Sequence, residues 1–589
     1  MRSSSLPSVC SSRQTVHRVS LACMQCRSRH MRCDAKQPEC SRCQLDKRRC
    51  TYVKSKRGGR RRATSADSPQ GESTVFSEPT SVSPEWKKCI DTIREPSQEI
   101  LFSEPCSVTS DPQATPSMID DPVASPFDNL LDLYYSTFHA AHAFVLPKRN
   151  LLDRLEKDPL SFEALVLVMR YVGSLFNPST SSASLERKVQ RALAPIRSRE
   201  YFLTGYHVQS LLLYSSAAYW CNKTETGLRL LDETIQLAIE LGMELESYAI
   251  QHGEGDPVLE ESWRRTWWQI YVTEAHNTGT TRSFPTKTGG LHITTALPCE
   301  DHNYQSGTIP PPRTLYEYDM REFLMAEGDA EFSSIAELIG LTRTLNMVLS
   351  GRKTGNLSVT RTICAEVDIA ISAWCALLPA SKKNVKRSDG TVDEQLFNAN
   401  ILIHTCIVDL HRELSDLAYS PIESVSRCAP PSPAKRLHVF PSNETHRHTL
   451  TVLSSIEKVG RLLNVVTAFD TCTPFLISMI ANTTVAHLSA CKHLFRDRRL
   501  QMEREKIRLS MAALKSLSEF WPLGRRTYTE VGIIAREILS LADREISPWV
   551  ASMGLPPVMC RNIGADLGGA LDTCNLCDDS ASCEFLMNV

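Results

Sequence analysis

The sequence predicts a mainly α protein in three parts: a small cysteine-rich module of two helices, a disordered linker and a large all-helical domain. Six of the 21 cysteines lie between Cys23 and Cys50. From Ala63 to Pro126, 27 of 64 residues are Ser, Thr or Pro. After Pro126, apolar residues recur at the steps of three and four that place them on one face of a helix. We therefore expect a disordered N-terminus at 1–18, the cysteine module at 19–53, a basic and then Ser/Thr/Pro-rich linker at 54–126, the helical domain at 127–545 and a flexible tail at 546–589.

Charge is distributed unevenly, although the whole chain is nearly neutral with 66 Lys and Arg against 67 Asp and Glu. Met1 to Arg62 contains 17 basic and 3 acidic residues, a balance of +14. Subtraction leaves 49 basic and 64 acidic residues for Ala63 to Val589, a balance of −15. A basic head on an acidic chain is typical of a protein that docks on a polyphosphate.

The cysteines favour a reducing compartment, because outside the first cluster they scatter through apolar, helix-like sequence in a long chain. The N-terminus MRSSSLPSVCSSRQ lacks the apolar core of a signal peptide. No stretch reaches 18 uninterrupted apolar residues. We expect neither secretion nor a membrane span.

The strongest motif is CMQCRSRHMRC followed after six residues by CSRCQLDKRRC, so that C-x2-C-x6-C occurs twice. Two tetrahedral zinc ions need eight ligand positions, and six thiolates supply eight if one from each half bridges both ions. A segment this small lacks a core, and metal binding would supply its folding free energy. Free or disulfide-paired cysteines are the alternative. The predicted ligands are Cys23, Cys26, Cys33, Cys40, Cys43 and Cys50.

Basic side chains surround the cysteines and continue beyond them. A short helix starting at Cys26 would expose the first group, so that phosphates and base edges of a DNA major groove could accept its hydrogen bonds. The segment YVKSKRGGRRR would contact phosphates and serve as a nuclear import signal. A merely solvated basic tail is the alternative. The predicted DNA contacts are Arg27, Arg29, His30, Arg32, Arg42, Lys54, Lys56, Arg57, Arg60, Arg61 and Arg62.

Residues Ala22 to Tyr52 resemble the fungal binuclear zinc cluster family, including Pro38 in the loop between the two halves. The resemblance implies that Cys23 and Cys40 bridge two Zn²⁺ ions. It also implies that Cys26 and Cys33 complete one metal site, and that Cys43 and Cys50 complete the other. Members of this family are nuclear regulators of RNA polymerase II transcription that bind double-stranded DNA, and their first helix reads a short GC-rich triplet. Many control one metabolic or secondary-metabolite pathway.

His30 departs from the family pattern, which has a lysine at this base-reading position. A lysine offers three donors and a fixed charge, whereas a neutral histidine offers one donor. We therefore do not assume the usual CGG preference.

The linker shapes the expectation for oligomeric state. No stretch between successive prolines of residues 63–126 exceeds 11 residues, which excludes a coiled coil of three or four heptads there. We expect monomeric DNA binding, or dimerisation through the helical domain.

Nine apolar runs and the segment LDETIQLAIELG predict the helices of the body. Gly242, the final residue of that segment, is placed to end its helix. We interpret Pro421 to Pro441 as an internal loop or hinge. Several segments resemble the fungal-specific regulatory domain, among them LLDLYYSTFHAAHAFVLP, ESWRRTWWQIYVTEA and, as its terminal helix, LKSLSEFWPLGRR. The runs are Leu130–Phe138, Glu163–Phe176, Tyr206–Tyr219, Ser262–His276, Ile363–Leu378, Leu396–Leu414, Leu450–Val466, Ile477–Leu494 and Ile507–Phe520.

The aromatic stripe of Trp263, Trp267, Trp268 and Tyr271 is typical of a helix core. Arg264 and Arg265 are expected to pair with buried carboxylates or helix ends rather than with an anionic ligand. A domain of this size could hold an apolar small-molecule effector, but no motif marks the place.

The C-terminal tail mixes acidic and apolar residues, such as Asp578, Asp579 and Phe585, and is interpreted as a short segment that binds a coactivator. Its single C-x2-C at Cys574 and Cys577 is weak evidence for a third metal site.

Three classes of function remain: a sequence-specific DNA-binding regulator, a zinc-stabilised protein-interaction scaffold, and an enzyme with a zinc module. The chain contains no His-Glu-x-x-His, Gly-x-Ser-x-Gly, Walker or Gly-x-Gly-x-x-Gly motif that supports an enzyme. A catalytic zinc also needs an open coordination position, and the six-cysteine arrangement leaves none. We predict the regulator.

Overall fold

The computed structural model describes residues 23, 26, 33, 36, 38–46, 49–50, 128–200, 202–324, 331–352, 357–417, 419–428, 442–466 and 468–542. The chain forms two compact units, residues 1–99 and 100–589. Over the described ranges the regular secondary structure is helical. These ranges contain no strand, and their β-pairing consists of two isolated bridges, Leu297 with Arg313 and Lys386 with Val392. The predicted mainly α fold class is confirmed.

In the first unit, α1 covers Ser41–Leu45. The second unit, called the body, contains α2 to α20 and three short 3₁₀ turns. No helix of the described part is both long and apolar enough to cross a membrane. The helices of the body are α2 (Asn129–Ser136), α3 (Phe138–Ala141), α4 (Lys148–Leu155), α5 (Pro159–Ser174), α6 (Ser182–Arg197), α7 (Gly205–Trp220), α8 (Thr224–Leu241), α9 (Glu246–His252), α10 (Pro257–Thr281), α11 (Asp301–Ser306), α12 (Leu315–Asp319), α13 (Arg321–Leu324), α14 (Ser334–Leu349), α15 (Leu357–Leu377), α16 (Glu394–Leu414), α17 (Asn443–Leu463), α18 (Leu476–His493), α19 (Asp497–Phe520) and α20 (Pro522–Ala542).

Short polar side chains set the starts of several helices. Asp158 precedes Pro159 and accepts from the Ser161 N–H at 3.3 Å, and Asp256 precedes Pro257 and accepts from the Val258 N–H at 2.9 Å. A proline at the first position costs no hydrogen bond, because that N–H has no partner within the helix. These caps start α5 and α10 several residues before the apolar runs that predicted them.

Two predictions about chain breaks have different outcomes. Gly242 ends α8 in the left-handed conformation, with φ at 77°, as predicted. The segment predicted as one terminal helix is divided at Trp521 and Pro522 into α19 and α20. The proline starts the second helix because it cannot donate to the turn before it.

The body has one main apolar core that contains residues from Leu131 to Ile538. A smaller cluster lies among α14, α15 and α16. The main core contains residues from both sides of the Pro421–Pro441 stretch, so this stretch lies within one domain and does not separate two independently packed halves. Pro421–Val425 forms a 3₁₀ turn, and residues 429–441 lie outside the described part.

Helix α10 runs through the core and confirms the prediction for its aromatic stripe. Trp267 and Trp268 have no exposed surface, and Trp263 and Tyr271 are buried. The Trp268 Nε1–H donates to the Ala296 carbonyl at 2.9 Å, so its one polar atom is satisfied inside the core.

Arg265 is a fully buried cation on α10, and its partners confirm that it is structural. Its guanidinium donates to Glu261 Oε1 at 2.8 Å and to Asp301 Oδ1 at 2.6 Å. It also donates to the carbonyls of Ala143 at 3.1 Å and Cys299 at 2.7 Å. One guanidinium thereby ties two separate segments, one at Ala143 and one at Cys299 and Asp301, to α10.

Candidate metal centre

Four cysteine thiols converge in the first unit. The Sγ atoms of Cys23, Cys26, Cys40 and Cys43 all lie within 4.8 Å of one another. All four residues are buried, and the core of this segment consists of cysteines. A peptide segment whose core is made of thiols has little apolar surface to stabilise it.

The sulfur contacts repeat between the two halves of the motif, which are offset by 17 residues. Cys23 Sγ lies 3.6 Å from Cys43 Sγ, and the corresponding Cys40 Sγ lies 3.7 Å from Cys26 Sγ. The Cys26 N–H donates to Cys23 Sγ at 3.4 Å, and the Cys43 N–H donates to Cys40 Sγ at 3.4 Å. The Cys23 and Cys40 sulfurs themselves lie 3.7 Å apart, at the centre of this approximate two-fold arrangement.

The third cysteine of each half also makes equivalent contacts in the two halves. The Cys23 N–H donates to Cys33 Sγ at 3.5 Å, and the Cys40 N–H donates to Cys50 Sγ at 3.4 Å. Cys33 and Cys50 are half-buried and lie at the outside of the cluster. All six sequence-predicted ligands are therefore in one place.

The donor set fits a thiolate-bound metal such as zinc. The cysteines are free, and sulfurs 3.6 to 3.7 Å apart are too distant for a disulfide bond of about 2.05 Å. Four sulfurs at about 2.3 Å from a tetrahedral zinc would lie roughly 3.8 Å from one another. The spacing thus matches the edges of a zinc–thiolate tetrahedron.

The thiols oppose one another's ionisation when no cation is bound. Burial, with the Cys23 and Cys40 thiols next to it, raises the pKa of Cys26 to about 12. The pKa of Cys43 is raised for the same reasons. Burial also acts to raise the pKa of Cys23, but hydrogen bonds from Cys26 and the neighbouring thiols outweigh it and lower the value to about 6. A divalent cation would supply the positive charge that lets all of these thiolates exist together.

The predicted DNA contacts fall largely outside the described residues. Cys26 itself is helical, and the residues that would continue its helix are not described. Arg42 lies on α1, but its side chain is outside the described part. The other predicted contacts lie wholly outside it: Arg27, Arg29, His30, Arg32, Lys54, Lys56, Arg57, Arg60, Arg61 and Arg62.

Sequence reasoning did not locate a cavity that the body contains among α10, α14, α16 and α18. Its wall includes Asn482, a polar residue in the middle of the apolar run LISMIANTTVAHLSACKH. The signal in the sequence was an amide side chain in the middle of an apolar helix, where it does not cap the helix end and needs another polar partner.

Two family models match the chain. One is described as a fungal Zn(2)-Cys(6) binuclear cluster domain and matches residues 21–59. The other is described as a fungal specific transcription factor domain and matches residues 131–375. The curated relative "C6 finger domain transcription factor iacK" of Pestalotiopsis fici is 29% identical over 563 residues, which cover 88% of this chain and 80% of the relative. No solved structure matches the chain.

Proposed function

Because the chain is a fungal-type binuclear zinc cluster transcription factor with a fungal-specific regulatory domain, we propose that it reads DNA through two zinc ions held by its six N-terminal cysteines. It is a DNA-binding transcription regulator. The observation that supports two ions is the repetition of every sulfur contact with a shift of 17 residues, since a single metal site would need no such pairing.

We assign the ligands by this two-fold arrangement. Cys23 and Cys40 would bridge both ions, because each sulfur contacts two sulfurs of the opposite half and also lies within 4.8 Å of the second cysteine sulfur of its own half. Cys26 and Cys33 complete one tetrahedron, and Cys43 and Cys50 complete the other. Bound zinc would cross-link the two halves and provide most of the folding free energy of the segment.

The DNA-contacting residues divide into two groups. Arg27, Arg29, His30 and Arg32, which follow Cys26 in the sequence, would meet base edges and phosphates in the major groove. Arg42 and the segment Lys54 to Arg62 would contact the phosphate backbone. The segment Lys54 to Arg62 would also direct the chain to the nucleus. The target is a short GC-rich triplet whose sequence depends on His30.

Membership of a transcription factor family argues against an enzyme, and we propose that the chain has no catalytic activity of its own. The body would control output for one metabolic or secondary-metabolite pathway, with a small-molecule effector bound in the body. The tail would bind a coactivator. Reporter output that is unchanged after deletion of Leu571 to Val589 would dismiss the role of the tail.

We propose that the chain binds DNA as a monomer or as a dimer formed through the body. The proline spacing of the linker leaves no room for a dimerising coiled coil after the cluster. Sedimentation of residues 1–126 alone tests this, because a stable dimer of that fragment would refute it.

A selection from random duplex DNA by the full chain, in zinc and again with a chelator, tests the function. Enrichment of a short GC-rich motif that disappears with the chelator supports it. The competing function is a zinc-stabilised protein scaffold, which predicts no enrichment. Salt provides a second distinction, because binding through several phosphates loses roughly a thousandfold or more in affinity between 50 and 200 mM salt.

A further inference from the structure

The body contains a partly open cavity between its two apolar clusters. Four helices line it, and the residues of each lie three or four positions apart, on one face. The cavity has a volume of about 100 Å³, counted as space open to the centre of a water molecule. A single water needs only about 10 to 15 Å³ by this measure, so the space suits a small organic molecule. Contributing residues include His276 and Thr280 of α10, Leu345 and Leu349 of α14, and Leu402 and Cys406 of α16.

The location of the cavity couples ligand binding to the packing of the two apolar clusters. Leu345 and Cys406 in its wall belong to the smaller apolar cluster, whereas Met479 of α18 belongs to the main core. A molecule that fills the cavity would touch both clusters at once. Its binding would therefore stabilise their packing, since lost contacts at a void are regained when atoms fill it.

The wall is mostly apolar but contains an amide without a partner. Asn482 of α18 is only 6% exposed and lines the cavity. Within the described residues its side chain makes no hydrogen bond, and its amide atoms are not sealed from solvent. A buried amide that lacks a protein partner is expected to bond to water or to a ligand.

His276 adds a second polar group, from helix α10. Its Nδ1 lies 3.0 Å from the Val272 carbonyl, which can only accept, so Nδ1 carries the proton. Burial lowers the pKa of His276 to about 4, which keeps the ring neutral near pH 7. The remaining Nε2 is an acceptor for a hydroxyl or N–H group.

The charged groups at the cavity compensate one another. Asp409 accepts from Arg282 at 2.6 Å through Oδ1 and from Arg352 at 2.6 Å through Oδ2. Arg352 also donates to Glu413 at 2.7 Å. Two guanidinium groups thus face two carboxylates, and no net charge remains to attract an ionic ligand.

We propose that this cavity is an effector site for a neutral organic molecule with an apolar body and at least one hydroxyl group, which bonds to Asn482. His276 offers an acceptor for a further polar group of the molecule. The apolar walls accept the body of the ligand, and an amide with both donor and acceptor atoms matches a hydroxyl. The inference rests on the proposed regulatory role of the body, and it is independent of zinc and of DNA.

Equilibrium dialysis of the full chain against three small probes, without DNA, tests the proposal. The probes are 1-naphthol, naphthalene and naphthalene-1-sulfonate, which share one apolar body. We expect 1-naphthol to bind with one molecule per chain, naphthalene to bind about two- to tenfold more weakly because it lacks the hydroxyl, and the sulfonate not to bind.

Three variants locate the site. Asn482→Leu should weaken 1-naphthol binding about two- to tenfold and leave naphthalene binding unchanged, because it removes no hydrogen bond within the protein. Gly279→Leu should abolish binding of both probes. Gly279 lines the cavity, and a Cβ there meets no atom within 4 Å, so the new side chain has room to enter.

Gly460→Leu is the matched control, because Gly460 also lies inside a helix with no atom within 4 Å of an added Cβ but does not line the cavity. This variant should bind as the unchanged chain does. Failure of 1-naphthol to bind the unchanged chain, or equal binding by Gly279→Leu, would overturn the proposal. Neither result would affect the proposed DNA recognition, which is measured separately.

Discussion

The Sγ atom of Cys23 lies 3.7 Å from the Sγ atom of Cys40, the residue at the same position in the second half of the motif. Each of these sulfurs also contacts one from the other half, at 3.6 Å to Cys43 and 3.7 Å to Cys26. The pair therefore occupies the centre of the cluster, where a ligand would be shared by two ions.

The shared position makes Cys23 more important for metal content than an outer ligand. Cys23→Ser should lower the bound zinc from two ions per chain to fewer than one, because both tetrahedra lose a thiolate. Native mass spectrometry measures the count. Cys221→Ser, which changes a cysteine of the body, should keep two ions. Two ions retained in Cys23→Ser would contradict the bridging assignment.

Arg265→Met should destabilise the body by about 3 to 5 kcal/mol, because it leaves buried Glu261 with a weakened set of partners. The midpoint of chemical unfolding measures the effect. Arg508→Met is the control, since Arg508 pairs with Glu505 at a site where both side chains are more than half exposed. That change should cost less than about 0.5 kcal/mol. Equal effects would show that the buried network is not important for stability.

The body should lose stability as the pH falls from about 6.5 towards 4. Burial lowers the pKa of His139 and His404 to about 3, and of His142 and His276 to about 4. In that range the unfolded chain binds protons that the folded chain cannot, so acid favours unfolding. Unfolding midpoints at pH 7.5, 6 and 5 measure the slope.

His404 offers a direct check of that slope. Burial is the main cause of its lowered pKa, and the positive charge of Lys458 adds to it. His404→Leu should make the loss of stability between pH 6.5 and 5 shallower, by up to about 1.4 kcal/mol per pH unit, because one protonation site is removed. A slope that does not change would show that His404 binds its proton as readily in the folded chain as in the unfolded chain, which would contradict the lowered pKa.

His30→Lys should change the preferred triplet or tighten binding, because a lysine brings a fixed charge and three donors to the base-reading position. Selection profiles of the variant and the unchanged chain provide the comparison. Identical profiles would show that His30 does not read bases.

Local signals predicted most of the body. The Gly242 stop and the aromatic stripe of α10 follow directly from spacing. Helix α6 was missed, because it is strongly polar and contains Pro195, which the helix accommodates in its last turn. Caps such as Asp256 lie outside the apolar pattern, so helix starts were predicted too late.

The two sites differ in how far they could be predicted. The metal ligands are close in sequence and repeat a spacing, so the cysteine pattern alone predicts that they form one cluster. Asn482 and His276 both line the cavity, although they are 206 positions apart in the sequence and lie on different helices. Only tertiary packing brings them together, and no local pattern records that.

The affinity of Cys26→Ser for a duplex selected by the unchanged chain, measured in zinc buffer, tests the central claim most directly. Loss of sequence-specific binding is expected, with the helical circular dichroism of the body unchanged and full binding retained by Cys221→Ser. Unaltered binding by Cys26→Ser would contradict the claim that a zinc-held cysteine cluster reads the DNA.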